Sequence, residues 1–265
     1  MRYCVEGNLQ AVLDEWAFVL GEKGAALHTA MRNAFIKTSP VPIDTYESFV
    51  KKNAKPRMRS HFAVGYFNAR FSIDDEYIQR TENVRAAFNS PLRPFVLATT
   101  SIGQEGLDFH LYCRKICHWN LPSNPVDLEQ REGRINRYLC LAIRQSIVHE
   151  YGDIDFHENI WHEMLEKAVQ NEKKDNGYSD LVPFWCLPVN RDNIVPIERI
   201  VPMYPLSKDR HLYERLIKVL TLYRLSLGQP RQEEFLESIV AAGLNDENID
   251  GLFLNLSPWE RRIKK

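Results

Sequence analysis

Two short stretches restrict this 265-residue chain more than anything else in it. One is a glycine- and acid-bearing loop, Ala98-Thr-Thr-Ser-Ile-Gly-Gln-Glu-Gly-Leu-Asp-Phe109, and the other is Gln130-Arg-Glu-Gly-Arg-Ile-Asn-Arg137. The geometry of the second follows from spacing. Asn124-Pro125-Val-Asp127 reads as a helix start, with Asn as the N-cap, Pro at the first helical position and Asp in the first turn, where the helix dipole favours it. On that helix Gln130, Arg134 and Arg137 fall at i, i+4 and i+7 and so share one face. Gly133 removes a side chain beside that face and lets a backbone or a ligand approach. Two guanidiniums and an amide in a row suit a polyphosphate, because Arg offers planar, permanently charged, multi-donor recognition. The competing reading is a solvated face salted with Glu129 and Glu132.

Position along the chain favours the ligand-binding reading. Pro94-Phe-Val-Leu-Ala-Thr-Thr100 reads as a buried strand running into the loop, and Lys115-Ile-Cys-His-Trp-Asn-Leu121 as a second strand, closed by Pro122-Ser-Asn-Pro125 before the helix. Both stretches therefore sit at strand ends, where open α/β sheets bind their ligands.

These residues carry a resemblance. Thr99-Thr-Ser-Ile-Gly-Gln-Glu-Gly-Leu-Asp108 resembles motif V, and Gln130 to Arg137 motif VI, of superfamily 2 helicases and translocases, and His118-Trp-Asn-Leu-Pro-Ser-Asn-Pro125 is similar to the strand and turn that precede motif VI there. Clear similarity covers about residues 56 to 150. Within the superfamily, His61-Phe-Ala, Arg85-Ala-Ala-Phe-Asn-Ser-Pro91 and Phe95-Val-Leu-Ala-Thr-Thr-Ser resemble large bacterial helicase-related proteins. Weaker similarity lies around Asn8 to Glu15 and Leu222 to Gln232.

The resemblance implies roles. Arg137 matches the arginine finger of motif VI and Arg134 its companion, both directed at the γ-phosphate of ATP, with Gln130 supporting that face and Gly133 beside it. Asp108 matches the acid that accepts hydrogen bonds from the nucleotide ribose, and Gly106 lies in the same loop. Thr99, Thr100 and Ser101 match the region where hydroxyls and backbone amides meet nucleic-acid phosphates, contacts that position a strand without reading its sequence.

A complete motor also needs a Gly-x4-Gly-Lys-Ser/Thr phosphate loop, and no Gly-Lys dipeptide occurs in the sequence; Gly21-Glu-Lys-Gly24 has the wrong spacing. Ala11-Val-Leu-Asp-Glu15 superficially resembles a magnesium-holding strand, yet Leu9, Val12, Leu13, Trp16 and Leu20 follow helical spacing, which makes Asp14 and Glu15 the polar side of an amphipathic helix. The expectation is a second RecA-like lobe without the first, so that ATP and magnesium are bound with ligands from an N-terminal helicase lobe supplied in cis or in trans.

Composition sets the remaining bounds. A net charge of −1 does not announce a nucleic-acid binder, so any basic track is local. Lys51, Lys52, Lys55, Arg57, Arg59 and Arg70 form such a track, equally compatible with phosphate contact and with a solvated linker. No apolar run is long enough to span a bilayer and no charged-then-apolar leader opens the sequence, so the expected partners exclude a membrane and the expected compartment is the cytoplasm. Five cysteines at irregular spacings fit a reducing compartment. His110, Cys113, Cys117 and His118 raise a zinc site, but Cys117 and His118 are adjacent in a predicted strand and point to opposite faces, so no metal site is expected.

The flanks read as helical. Residues 5 to 36 give two helices broken around Gly21 to Gly24, with Leu27, Ala30, Met31 and Ala34 as an apolar stripe. Ser39-Pro-Val-Pro42 and the basic stretch form a boundary. A first core strand spans about His61 to Phe67, and a helix before Pro91 turns Tyr77, Thr81, Val84 and Phe88 inward. Ala142 to Tyr151 alternates enough to be a last sheet strand, and His157 to Glu172 reads as a helix in which Trp161 is a packing anchor in preference to a base-stacking platform. Lys173 to Gly177 reads as a turn. A proline-punctuated segment from Pro183 to Pro205 with short strands follows, then a helix from Leu212 to Leu227 stopped by Gly228, another from Pro230 to about Ala242, and a mobile charged tail, Arg261 to Lys265.

The expected fold is α/β, a RecA-like, P-loop NTPase-type parallel sheet flanked by helices over residues 56–152, with a helical N-terminal extension over 1–55 and a mostly helical C-terminal extension over 153–265. The expected function is the C-terminal lobe of an ATP-dependent helicase or translocase acting on DNA rather than RNA, inactive as an isolated chain. The alternative is a non-catalytic remnant or regulatory module that docks on a motor or nucleic acid. A nuclease subunit finds no carboxylate pair or His cluster at a supporting spacing.

Overall fold

A glycine in the left-handed region ends the first helix where the sequence places the break. Helix α1 (Leu9–Leu20) stops at Gly21, φ 63°, whose N–H donates to the carbonyls of Ala17 and Phe18; α2 (Gly24–Asn33) follows and packs on α1. The computed structural model describes residues 8–21, 23–35, 39–42, 45–51, 57–60, 84–92, 95–99, 108–155, 157–176, 179–187, 194–223 and 241. They belong to two compact units, one of residues 1–113 and 156–163, the other of 114–155 and 164–265.

In the first unit Trp16 is buried, and Gln10 Nε2 donates to Asp14 Oδ1 at 2.8 Å on the polar side of α1, as the helical spacing predicts. Phe18 stacks on Trp161 with ring centroids 5.3 Å apart and planes 7° from parallel, so Trp161 is a packing anchor. Ser39 to Pro42, read above as part of a boundary, forms strand β1 (Ser39–Pro42), antiparallel to β2 (Arg57–Ser60), with α3 (Tyr46–Lys51) between them. Prolines are tolerated there because a two-stranded ribbon is all edge and leaves N–H positions that need no ladder partner. Helix α4, residues 84–88, buries Val84, Ala87 and Phe88, and the Phe88 ring meets Phe109 edge-on at 5.7 Å. The buried strand expected from Pro94 to Thr100 is not formed over residues 95–99. That stretch joins no ladder, and Phe95 is 71% exposed.

The second unit holds a parallel pair, β3 (Lys115–Cys117) with β4 (Glu198–Ile200), in the register Lys115↔Glu198 and Cys117↔Ile200. The strand is shorter than the predicted Lys115 to Leu121 stretch, and Glu198 pairs with Lys115 Nζ at 2.8 Å and with Arg114. Helix α5 (Pro125–Glu132) starts as the sequence predicts, with Asn124 Oδ1 accepting from the Val126 N–H at 2.9 Å. Such a cap contributes about 1 kcal/mol. Helices α6 (Leu141–Tyr151), α7 (Ile160–Asn176, whose first residues group with the other unit) and α8 (Asp209–Tyr223) complete the described elements, and α8 packs on α5.

Two further expectations are corrected. Ala142 to Tyr151 is helix, not strand: Ile143, Ile147 and Tyr151 recur every four residues and all are buried, with Ala142 and Ser146 beside them. Helix α7 runs through Lys173 to Asn176, where a turn was expected. The described residues are thus α/β with one parallel strand pair. The strand expected over His61 to Phe67 lies outside the described residues, as do Tyr77, Thr81, Lys52, Lys55, Arg70, the helix expected from Pro230 apart from residue 241, and the tail from Arg261. No described helix is long and apolar enough to cross a membrane.

Candidate functional site

The arginines do not share one helical face. Helix α5 ends at Glu132, and Gly133, with its N–H on the Glu129 carbonyl at 2.7 Å, leads into a tight turn. There the Arg134 N–H donates to the Arg131 carbonyl at 3.3 Å, and the Ile135 and Asn136 N–H groups both donate to the Glu132 carbonyl at 3.1 Å. The physical reason lies in the sequence Gly-Arg-Ile-Asn. Glycine is a poor helix residue, Ile and Asn are weak ones, and burying Ile135 fixes the turn instead. A Cβ at Gly133 would stand 3.2 Å from the Glu129 carbonyl oxygen, so the close approach glycine permits is to its own helix. Gln130 is exposed on α5, while Arg134 and Arg137 are half-buried in and just after the turn. Among the described residues, Arg134 Nε is buried without a hydrogen-bond partner.

The end of this segment is held as firmly as its start. Leu139 sits at φ 47°, a left-handed conformation that costs a branched residue about 1 kcal/mol or more. Its N–H donates to the Phe184 carbonyl at 2.9 Å, and its carbonyl accepts from Nη1 of the fully buried Arg144 at 2.7 Å. Tyr138 stacks on Phe184 at 5.5 Å and meets Trp185 edge-on at 6.2 Å.

The cluster behind the turn was not anticipated. Glu132 receives both Nε and Nη2 of Arg199, the latter at 2.6 Å from Oε2, and His118 Nε2 lies 3.2 Å from Oε1. Arg199 Nη1 reaches the Tyr213 hydroxyl at 3.3 Å. Burial pulls the Glu132 carboxyl upward. The hydrogen bonds from His118 and Arg199, with the Arg199 charge, outweigh that and leave its pKa lowered from 4.5 to about 2. The same carboxylate holds Arg199 ionised well above the ordinary arginine range. His118, raised above as a zinc ligand, is buried against this carboxylate. No local sequence signal could have found the cluster, because its members lie just after β3 and on α5, β4 and α8.

The sign of the pH effect follows. A carboxyl with a folded pKa of about 2 and an unfolded value of 4.5 contributes stability fully present above 4.5 and lost as pH falls toward 2. The shift corresponds to at most about 3 kcal/mol. With both side chains still touching water, about 1–2 kcal/mol is expected. Urea midpoints recorded from pH 7 to pH 3 should therefore fall more steeply for the wild type than for Glu132→Gln. Parallel curves would refute the assignment.

Of the loop residues, Asp108 is exposed and its carbonyl accepts from Asn89 Nδ2 at 2.7 Å, beside the buried Phe109. Thr99 is exposed. Thr100, Ser101 and Gly106 lie outside the described residues. Thr99 and Asp108 thus belong to the first unit, and Gln130, Gly133, Arg134 and Arg137 to the second.

Residues 56–138 match the family described as the helicase conserved C-terminal domain, a stretch that contains both the loop and the arginine turn. No curated protein and no solved structure is significantly similar to the chain. Over residues 56–138, therefore, this chain is similar to the helicase conserved C-terminal domain.

Proposed function

We propose that the chain is the arginine-bearing lobe of an ATP-dependent superfamily 2 helicase or translocase acting on DNA. Arg137 is the finger, and Arg134 is its companion, each stabilising charge that builds on the transferred phosphoryl group. Gln130 and Gly133 shape that surface, Asp108 and Gly106 serve the nucleotide ribose, and Thr99, Thr100 and Ser101 meet the nucleic-acid backbone. The observation that carries this reading is the family match, which runs through the turn and ends one residue beyond Arg137.

The chemistry of the turn fits a phosphate rather than a cation. It offers guanidinium donors, and the carboxylate that precedes Gly133 is already engaged by Arg199 and His118. Magnesium, which neutralises phosphate charge in such reactions, and the phosphate loop are therefore assigned to the first lobe, in cis or on a second polypeptide.

Magnesium-dependent ATPase activity, with and without DNA, tests the proposal on this chain alone and on the chain combined with a first lobe, such as one encoded immediately upstream. Negligible turnover alone and DNA-stimulated turnover from the two lobes together are expected. Robust turnover by the isolated chain would overturn the split assignment. No turnover in the two-lobe protein, while the chain still binds DNA, would favour a non-catalytic binding module.

A further inference from the structure

We propose that Arg199 is a positioning residue for the arginine turn, holding Glu132, and through it the segment from Gly133 to Arg137, in the arrangement that turnover requires. The inference rests on the reading of Arg137 as the finger. It concerns a residue outside the stretch that matches the helicase domain.

Glu132 has two tasks at once. Its carbonyl closes the turn by accepting the Ile135 and Asn136 N–H groups, and its carboxylate is gripped through two donors by Arg199. A bidentate guanidinium fixes both the position and the plane of a carboxylate, which a single ammonium cannot do. Arg199 is itself fixed. It stands on β4 in register with Ile116 of β3, and its remaining nitrogen reaches the Tyr213 hydroxyl on α8, the helix that packs on α5. The C-terminal segment therefore reaches the residue from which the finger-bearing turn springs, and a shift of Glu132 must break the ion pair or drag the strand with it. Misplacing a catalytic group by about 1 Å can cost about 10²-fold in rate.

The competing possibility is an ion pair that only stabilises the fold. Steady-state ATPase kinetics on the two-lobe protein with DNA separate the two, using Arg199→Ala, Arg199→Lys and the double variant Arg199→Ala/Arg137→Ala, with thermal midpoints measured alongside. Positioning predicts that Arg199→Ala lowers kcat about tenfold while KM for ATP stays within about twofold, and that lysine rescues only part of the loss. It also predicts that Arg199→Ala changes residual turnover less than about twofold once Arg137 is gone, since a brace has no effect without the finger it braces. If Arg137→Ala is silent, Arg137→Lys provides the background. If Arg199→Ala does not fold, Arg199→Lys and Tyr213→Phe carry the same comparison. The exposed Arg210, which pairs with Glu214, supplies Arg210→Ala as a control at the wild-type rate.

An unchanged kcat in Arg199→Ala, or the same fold-loss with and without Arg137, overturns the inference and leaves the finger assignment standing. Wild-type turnover in Arg137→Ala overturns the finger assignment itself, and with it the inference.

Discussion

Replacing Arg137 by alanine should lower DNA-stimulated ATP turnover of the two-lobe protein by about 10³-fold or more, the range over which arginine fingers act in phosphoryl transfer. On the proposed finger role the loss belongs in kcat more than in KM, because the guanidinium would meet charge that develops on the way to the transition state. Arg137→Lys should recover little, since an ammonium keeps the charge but not the planar fork. The measurement is steady-state ATPase at saturating DNA, with the thermal midpoint of each variant recorded. Turnover of Arg137→Ala within about threefold of wild type, in a folded protein, would remove the finger from this residue.

The second large effect is on stability. Ile147 is 0% exposed on α6, and Ile147→Ala should cost about 2–5 kcal/mol, the range for deleting a buried aliphatic side chain. His149→Ala should stay within about 0.5 kcal/mol, as exposed positions do. The pair discriminates, because a strand would put residues 147 and 149 on one buried face, whereas the helix buries the first and exposes the second. Denaturant midpoints read out both variants. Comparable losses from the two would contradict the helix.

That helix marks where local sequence reading fails. Ile143, Ile147 and Val148 are β-branched and suit a strand, while Arg144 and Ser146 look like the polar half of an alternation. Both polar residues are in fact buried. The Arg144 guanidinium reaches the Leu139 carbonyl, and Ser146 Oγ donates to the Ala142 carbonyl and accepts from the Val195 N–H at 2.8 Å. Partners 5 and 49 residues away made them core residues, and only the four-residue recurrence of Ile143, Ile147 and Tyr151 betrayed the true period.

Where the information is local, the sequence reading succeeds. Asn124 before Pro125, Gly21 after α1 and the apolar spacing around Trp16 each state their own structure. The arginine turn is intermediate. Its residues and their order were legible, but continuing the helix past Gly133 ignored how little Gly, Ile and Asn favour another turn. Arg199 and Tyr213 were invisible, since their role exists only once β4 and α8 have come to lie against β3 and α5.

The parallel pairing of β3 with β4 has a consequence for how this lobe can be cut. A fragment trimmed to the matching segment, residues 56–138, would keep Arg134 and Arg137 but lose Glu198–Ile200, the strand that pairs with Lys115–Cys117, and Arg199, the guanidinium that grips Glu132. Domain swaps and expression boundaries should therefore be drawn beyond α8. The stretch that matches the family and the stretch whose contacts hold the arginine turn are therefore not the same length of chain.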